Sequence, residues 1–377
     1  MQAAKLASPP TLGNATGKVL AELGYDTQQR ARLYNAGIVS GPDTDIHTTG
    51  SGTPLATPAG SPQERIQRRG GPLDGIRVMD ISGMGVGPVT GRFLAELGAE
   101  VIKVEPPHGD LALTVSPTQS GTSVLYLAAN LGKRGMFLNL KDPRDLDRAY
   151  RLAEQSDVFI ENFRVGVVDR LGLGYETLAA RNPRLIYCSL SGFGPHGPLA
   201  KLPSIDTYIQ AFSGFASLNG APGSRGESLR NIGFIDLSTS AMTVPAILAA
   251  LIHREQTGNG QLIIASMLEA ASTLQTSRIA EYLATGQCAP PYGSGMPYAV
   301  PDQAFDVRDG YLAISARTQA EWEALCRVLE RQDLLDEPRY RTLADRLAHR
   351  DILIAQLAET LRVYPSAWWI KPHSIGF

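Results

Sequence analysis

Cysteine is scarce in this chain. Cys188, Cys288 and Cys326 are the three in 377 residues, odd in number and far apart. That excludes a disulfide framework and points to a reducing compartment. No Cys/His cluster has the spacing of a zinc site, and none of the six histidines pairs with another at i, i+3 or i+4, so no metal is expected. Neither sign of charge is in excess. Lys+Arg number 35 and Asp+Glu 37, for a formal net charge of -2, which leaves no footprint for nucleic acid and no polybasic patch for a membrane. Long apolar runs are missing too. The longest, "MTVPAILAALI" at 242–252, contains Pro245 and is shorter than a bilayer span. The first residues lack the apolar core of a signal peptide. These absences predict a cytoplasmic protein.

What is present is a 43% hydrophobic chain long enough for more than one core. Residues 1–39 hold two short amphipathic helices. Asn14 or Thr16 is expected to cap the first, with Gly24 as its stop, and Asp26 to cap the second. Residues 40–71 are rich in Gly, Pro, Ser and Thr, which predicts a flexible linker. From residue 72 the pattern changes. "IRVMDIS", "VIKVE", "GMFLNL", "DVFIEN", "RLIYCSL" and "GQLIIASM" are short apolar runs with helix-like stretches between most of them. That alternation predicts a doubly wound, Rossmann-like α/β domain with a parallel sheet over 72–285. Residues 286–377 predict a smaller α+β domain, opened by a hairpin in "QAFDVRDGYLAISA" with Asp309-Gly310 at its turn. "TGKVLAELGYD" (16–26) and "TGRFLAELGAE" (90–100) look alike, but the first lacks the following strand, so the pair is coincident helix chemistry and not a repeat.

"DISGMGVGPVTGRFLAELGAEVIKVE" mimics a dinucleotide fingerprint and fails in detail. Counting from Gly83 and Gly85, the third glycine position is Pro88; from Gly85 and Gly87 it is Thr90. The turn is either a plain strand-to-helix connection or a site for some other ligand at the helix N-terminus.

Several stretches together are more specific: "PLDGIRVMDIS…LAELGAEVIKVEPPHGD", "NLGKRGMFLNLK", "ENFRVGVVDRLGLGYETLAARNPRLIYCSLSGFGPHGP", "DTYIQAFSG", "IDLSTSAM" and "FDVRDGYLAIS". This pattern resembles the family III CoA-transferases, the group of formyl-CoA transferase and carnitine CoA-transferase that also contains the 2-methylacyl-CoA racemases. The resemblance runs from residue 72 to about 369. Residues 12–39 resemble the closing residues of such a module, and "IKPHSIGF" interrupts the small domain before the family's version of it is complete. The first reading is therefore a piece of a tandem-module protein. The second is a permutation in which the leading tail docks on the body.

The resemblance implies a transferase that moves CoA from an acyl-CoA to a free carboxylic acid, with CoA thioesters as substrate and no tightly bound cofactor. It implies Asp236 as the nucleophile, through an aspartyl anhydride and thioester, and Asp206 as a second acidic residue that orients or polarises the substrate. Near the CoA it places Met84, Gly85, Val86, Lys133, Asn162, Phe163 and Arg170, with Arg134 and Arg164 as weaker candidates. Gly293 and Gly295 stand where the family has a glycine loop that closes over the nucleophile. A basic residue that some members carry after "IKVEPP" is replaced by His108. The racemases have His before the Asp206 position; Ile205 stands here, which removes one of two bases needed for proton exchange. Racemase-like chemistry and a non-catalytic half of a tandem protein are the alternatives. The family's interlocked dimers imply a homodimer or a tandem-module partner.

Overall fold

The structure, a computed structural model, describes residues 13–35, 39, 70–115, 117–119 and 121–370. Nearly all of the expected linker over 40–71, and the last seven residues, lie outside them. The chain forms two compact units. Residues through Phe215 together with Leu229–Ala284 make the first; Ala216–Ser228 together with the chain from Thr285 make the second.

The first unit is built on a six-stranded sheet: β1 (Arg77–Asp80), β2 (Glu100–Glu105), β3 (Arg134–Phe137), β4 (Val158–Glu161), β5 (Ile186–Ser191) and β6 (Leu262–Ser266). Their order is β3-β2-β1-β4-β5-β6, and every neighbouring pair is parallel. This is the doubly wound order, with its direction reversing between β1 and β4. The strands are apolar runs because both faces are covered. Successive residues alternate between two core layers. Met79, Ile102 and Phe159 enter one layer; Val78, Val101, Val158 and Ile160 enter the other.

The first layer also contains residues of the leading segment. Helix α1 (Thr16–Glu22) contributes Val19 and Leu20, and Leu23 and Val39 follow. Asn14 and Thr16 do not cap α1, which has Ala15 at its N-cap with no side-chain bond. They bond the free edge of β3 instead. Asn14 Oδ1 accepts from Gly135 N (2.9 Å), Thr16 Oγ1 from Phe137 N (3.2 Å), and Ala15 N donates to Gly135 O (2.8 Å). Asp26 does cap α2 (Thr27–Asn35), in a reciprocal box with Gln29.

Helix α3 (Val86–Glu96) follows β1, and α4 (Pro143–Glu154) follows β3, with Asp142 as its cap and Pro143 in its first turn. Helix α5 (Asp206–Phe212) precedes the longest helix, α6 (Phe234–Thr257). At 24 residues α6 exceeds the apolar run that predicts it, and by length and composition alone it is long enough to cross a membrane. Shortness is therefore no argument against a span. In this structure Val244, Ile247, Ala250 and Leu251 of α6 pack with α3 and the sheet in the second core layer. Gly258, left-handed at φ 79°, ends the helix.

The second unit carries an antiparallel hairpin, β7 (Asp302–Val307) and β8 (Gly310–Ser315). Val307 pairs with Gly310, so the two turn residues are Arg308 and Asp309, one place earlier than Asp309-Gly310. Helices α7 (Gln319–Val328) and α8 (Arg350–Leu361) close a core of Phe305, Trp322, Cys326, Leu353 and Leu357.

Candidate active site

Ligands of open α/β sheets sit beyond the carboxyl ends of the strands where the order reverses. Here those ends belong to β1, which runs into Ser82–Gly85, and β4, which runs into Asn162. Asn162 joins the two. Its amide nitrogen donates to Gly83 O (2.7 Å) and Met84 O (3.1 Å), and its oxygen accepts from Gly83 N (2.9 Å). From the other side the Asp110 carboxylate accepts from Met84 N, 3.2 Å from each oxygen. Met84 is thereby held at φ 36°, a conformation that side-chain-bearing residues rarely adopt. Asp110 also accepts from Ala112 N (2.9 Å) and Lys103 Nζ (3.0 Å), and Lys103 reaches back to Ser82 O.

The loop delivers Gly85 to Asp236. A β-carbon on Gly85 would lie 3.0 Å from Asp236 Oδ2, and the residue itself has φ 72°. Only glycine lets the backbone come this close without displacing the carboxylate. Gly233, the N-cap of α6, borders the same carboxylate, at 3.2 Å by the same measure.

Asp236 is the third residue of α6. The sequence predicts that free backbone N–H groups of this helix start favour its anion. They are taken. Asp206, from the start of α5, accepts from Ile235 N (2.7 Å) and Asp236 N (3.0 Å) through Oδ2. Asp206 therefore caps α6 from outside. Among the described residues neither a cation nor a hydrogen-bond donor meets the Asp236 carboxylate. Burial, and then the Asp206 charge, push its pKa up to about 7. A half-buried carboxylate without counter-charge is a stronger base, and when ionised a stronger nucleophile.

The other expected residues divide. Met84, Gly85, Val86, Asn162 and Phe163 come together at the switch point, with Phe163 half-buried against the first core layer. Lys133 is a correction. It is 2% exposed, and Nζ donates to Asp80 Oδ2 (2.7 Å), Pro88 O (2.7 Å) and Asn130 Oδ1 (2.9 Å). All three ammonium hydrogens are used inside the protein, so Lys133 ties α3 to β1 and is not free to meet a phosphate. Burial raises the Asp80 carboxyl, but Lys133 and Lys103 outweigh that and hold it below the usual range. Arg134 is likewise engaged, by Glu22 and Glu100. Arg164 and Arg170 are exposed. Gly293 and Gly295 belong to the second unit. There Gly293 N donates to Gly220 O (2.9 Å), with φ 61°, and Gly295 N donates to Tyr292 O (2.9 Å).

Sequence reasoning missed Asp110. In "PPHGD" the resemblance draws attention to His108, while the residue that grips the loop, Asp110, lies two places on. Gly91, inside α3, was the available signal for Lys133: a β-carbon there would lie 2.8 Å from Asp80 Oδ2 and 3.1 Å from Lys133 Nζ.

A family model described as CoA-transferase family III matches residues 73–373. The chain is 38% identical to acetyl-CoA:oxalate CoA-transferase of Acetobacter aceti, over 80% of this chain and 77% of that one. It is 33% identical to succinyl-CoA:glutarate CoA-transferase of Homo sapiens, over 79% of this chain and 68% of that one. Among solved structures, a CAIB/BAIF family protein from Brucella suis superposes with a TM-score of 0.73 at 34% identity, covering 81% of each chain.

Proposed function

Because the chain belongs to CoA-transferase family III and is a CoA-transferase, we propose that Asp236 is the carboxylate that receives the acyl group. Asp236 attacks the thioester carbonyl, the C–S bond breaks, and CoA leaves as the thiolate. The thiolate then attacks the aspartyl carbonyl of the mixed anhydride and releases the donor acid. The acceptor carboxylate attacks the resulting aspartyl-CoA thioester, breaking its C–S bond to expel the thiolate and form a second mixed anhydride; the thiolate then attacks the acceptor carbonyl of that anhydride, giving the acceptor-CoA thioester and releasing the Asp236 carboxylate. One observation carries the reading: a shielded carboxylate without counter-ion, against a glycine at the switch point of the sheet. Ile205 beside Asp206 leaves no imidazole there for proton exchange, which favours transfer over racemisation.

The acceptor is a short dicarboxylic acid. Two relatives named for oxalate and glutarate support that choice. CoA is a substrate, approached by the loop Met84–Val86, Asn162, Phe163 and Arg170. Three free cysteines, two of them buried, support a reducing compartment, and exposed Tyr208, Phe212 and Leu237 support a homodimer or tandem partner.

The test is covalent trapping. The protein is mixed with succinyl-CoA or acetyl-CoA and quenched with hydroxylamine, and the peptide containing residue 236 is read by mass spectrometry. A hydroxamate at Asp236 is expected, together with a loss of about a thousandfold or more in kcat for Asp236→Asn. Unmodified Asp236 in a protein that still transfers CoA to oxalate or glutarate overturns the reading.

A further inference from the structure

Gln210 lies one helical turn beyond Asp206 on α5 and is fully buried. Every polar atom of its amide is engaged. Nε2 donates to Asp206 Oδ1 and to Leu229 O (2.9 Å), and Oε1 accepts from Leu229 N (2.8 Å). Leu229 stands four residues before Gly233, the N-cap of the helix that carries Asp236. The same side chain therefore grips the chain entering α6 and the carboxylate that caps it.

We infer that Gln210 is a positioning residue for the nucleophile: it locks Asp206 into the cap of α6 and so sets where Asp236 stands and which charge it faces. The inference rests on the reading of Asp236 as nucleophile. The chemistry asks for glutamine. Asp206 Oδ1 needs a donor, Leu229 O needs a donor and Leu229 N needs an acceptor, and one carboxamide supplies all three. Asparagine is a methylene short. Methionine has the length and none of the bonds. Glutamate would set a second carboxylate against Asp206. With Oδ1 held by Gln210, Oδ2 is left to Ile235 N and Asp236 N, so the Asp206 carboxylate has one satisfied orientation. Released, Asp206 would turn from the helix start. Asp236 would then lose the neighbouring charge and gain two backbone N–H groups in its own first turn.

The groups bordering Asp236 limit what else can respond. Loop Gly83–Gly85 and Gly233 bring no ionisable side chain, and Asp206 of α5 is the charge that acts on it among the described residues. The experiment compares wild type with Gln210→Met and with the milder Gln210→Asn, measuring kcat, KM for the acyl-CoA, and the pH dependence of kcat/KM. Both variants are expected to lose kcat, by about tenfold to a hundredfold for methionine, with KM within about threefold of wild type. Both are expected to move the acid limb to lower pH, by about half a unit or more. A residue that only supports the fold would lower activity without moving that limb. If Gln210→Met does not fold, Gln210→Asn decides, through the same limb. Wild-type kcat with an unmoved limb overturns the inference while Asp236→Asn stays inactive. An active Asp236→Asn instead removes the reading beneath it.

Discussion

At Asp236 the energetics of folding and of chemistry oppose each other. Its pKa stands near 7 folded and near 3.8 as a free carboxylate. The folded state holds the proton more tightly, so this residue favours folding at low pH, and the contribution drains away as pH rises from about 4 through about 7. Asparagine has no charge to desolvate. Asp236→Asn is therefore expected to melt above wild type at pH 8, by an increment worth about 1–3 kcal/mol, with the two curves converging toward pH 4. Paired calorimetric scans at pH 4, 6 and 8 check this, and a variant equally or less stable at pH 8 refutes it. With Asp236 as the proposed nucleophile, wild-type kcat/KM is expected to show an acid limb near pH 7. The place of Asp236 at the head of an apolar helical run was legible, and the family resemblance singled it out. Its electrostatics were not. The N–H groups expected to favour the anion are claimed by Asp206, a capping residue 30 positions earlier, and no local pattern announces a cap that arrives from another helix.

The element that aims this site is the loop between β1 and α3. Its glycines were legible as a strand-to-helix turn that departs from the dinucleotide fingerprint. What holds the loop was not legible, because the grip comes from Asn162 after β4 and Asp110 after β2, which meet only once the sheet is assembled in its reversed order. Lys133 shows the same limit in the other direction. A lysine after "NLG" carries no mark of burial, and only Gly91 on another element makes room for it. Asp110→Ala would remove the acceptor of Met84 N and leave buried Lys103 without its 3.0 Å carboxylate. Breaking a buried pair from one side costs about 3–5 kcal/mol. The expected result is a clear fall in Tm and, in the protein that remains folded, loss of acylation at Asp236 as Met84 and Gly85 relax. Gly85→Ala separates the two effects: it places a methyl group against the Asp236 carboxylate, lowering acylation by about a hundredfold with a smaller effect on Tm. Full acylation in either variant would show that the loop does not aim Asp236.

Across the molecule, the alternation of apolar strands and helices made the doubly wound sheet legible, strand by strand. Docking of the leading segment on the body was the second of two readings, and the surface it covers was not legible. Its two helices and the Asp26–Gln29 cap follow from local chemistry, but chain order does not say which surface a segment covers. Residues 13–35 lie on the first unit, at the free edge of β3, and three interactions hold them there. Backbone and side-chain bonds from Asn14, Ala15 and Thr16 satisfy an edge strand that would otherwise be open. Val19, Leu20 and Leu23 complete a core layer of the sheet. Glu22 enters a buried charge cluster, 3.0 Å from Arg77 and 2.9 Å from Arg134, whose other carboxylate is Glu100. Leu20 is fully buried, so Leu20→Ala is expected to cost about 2–5 kcal/mol. Glu22→Ala leaves Glu100 as the shared carboxylate of two guanidiniums and is expected to loosen the same contact. If the segment is an integral layer of the first unit, both variants raise amide exchange at Gly135 and Phe137 and lower Tm together. If it is a dispensable appendage, exchange rises only within residues 13–35 while β3 and the melting temperature stay as in wild type. Hydrogen-exchange mass spectrometry on the two full-length variants, beside a thermal melt, distinguishes these outcomes.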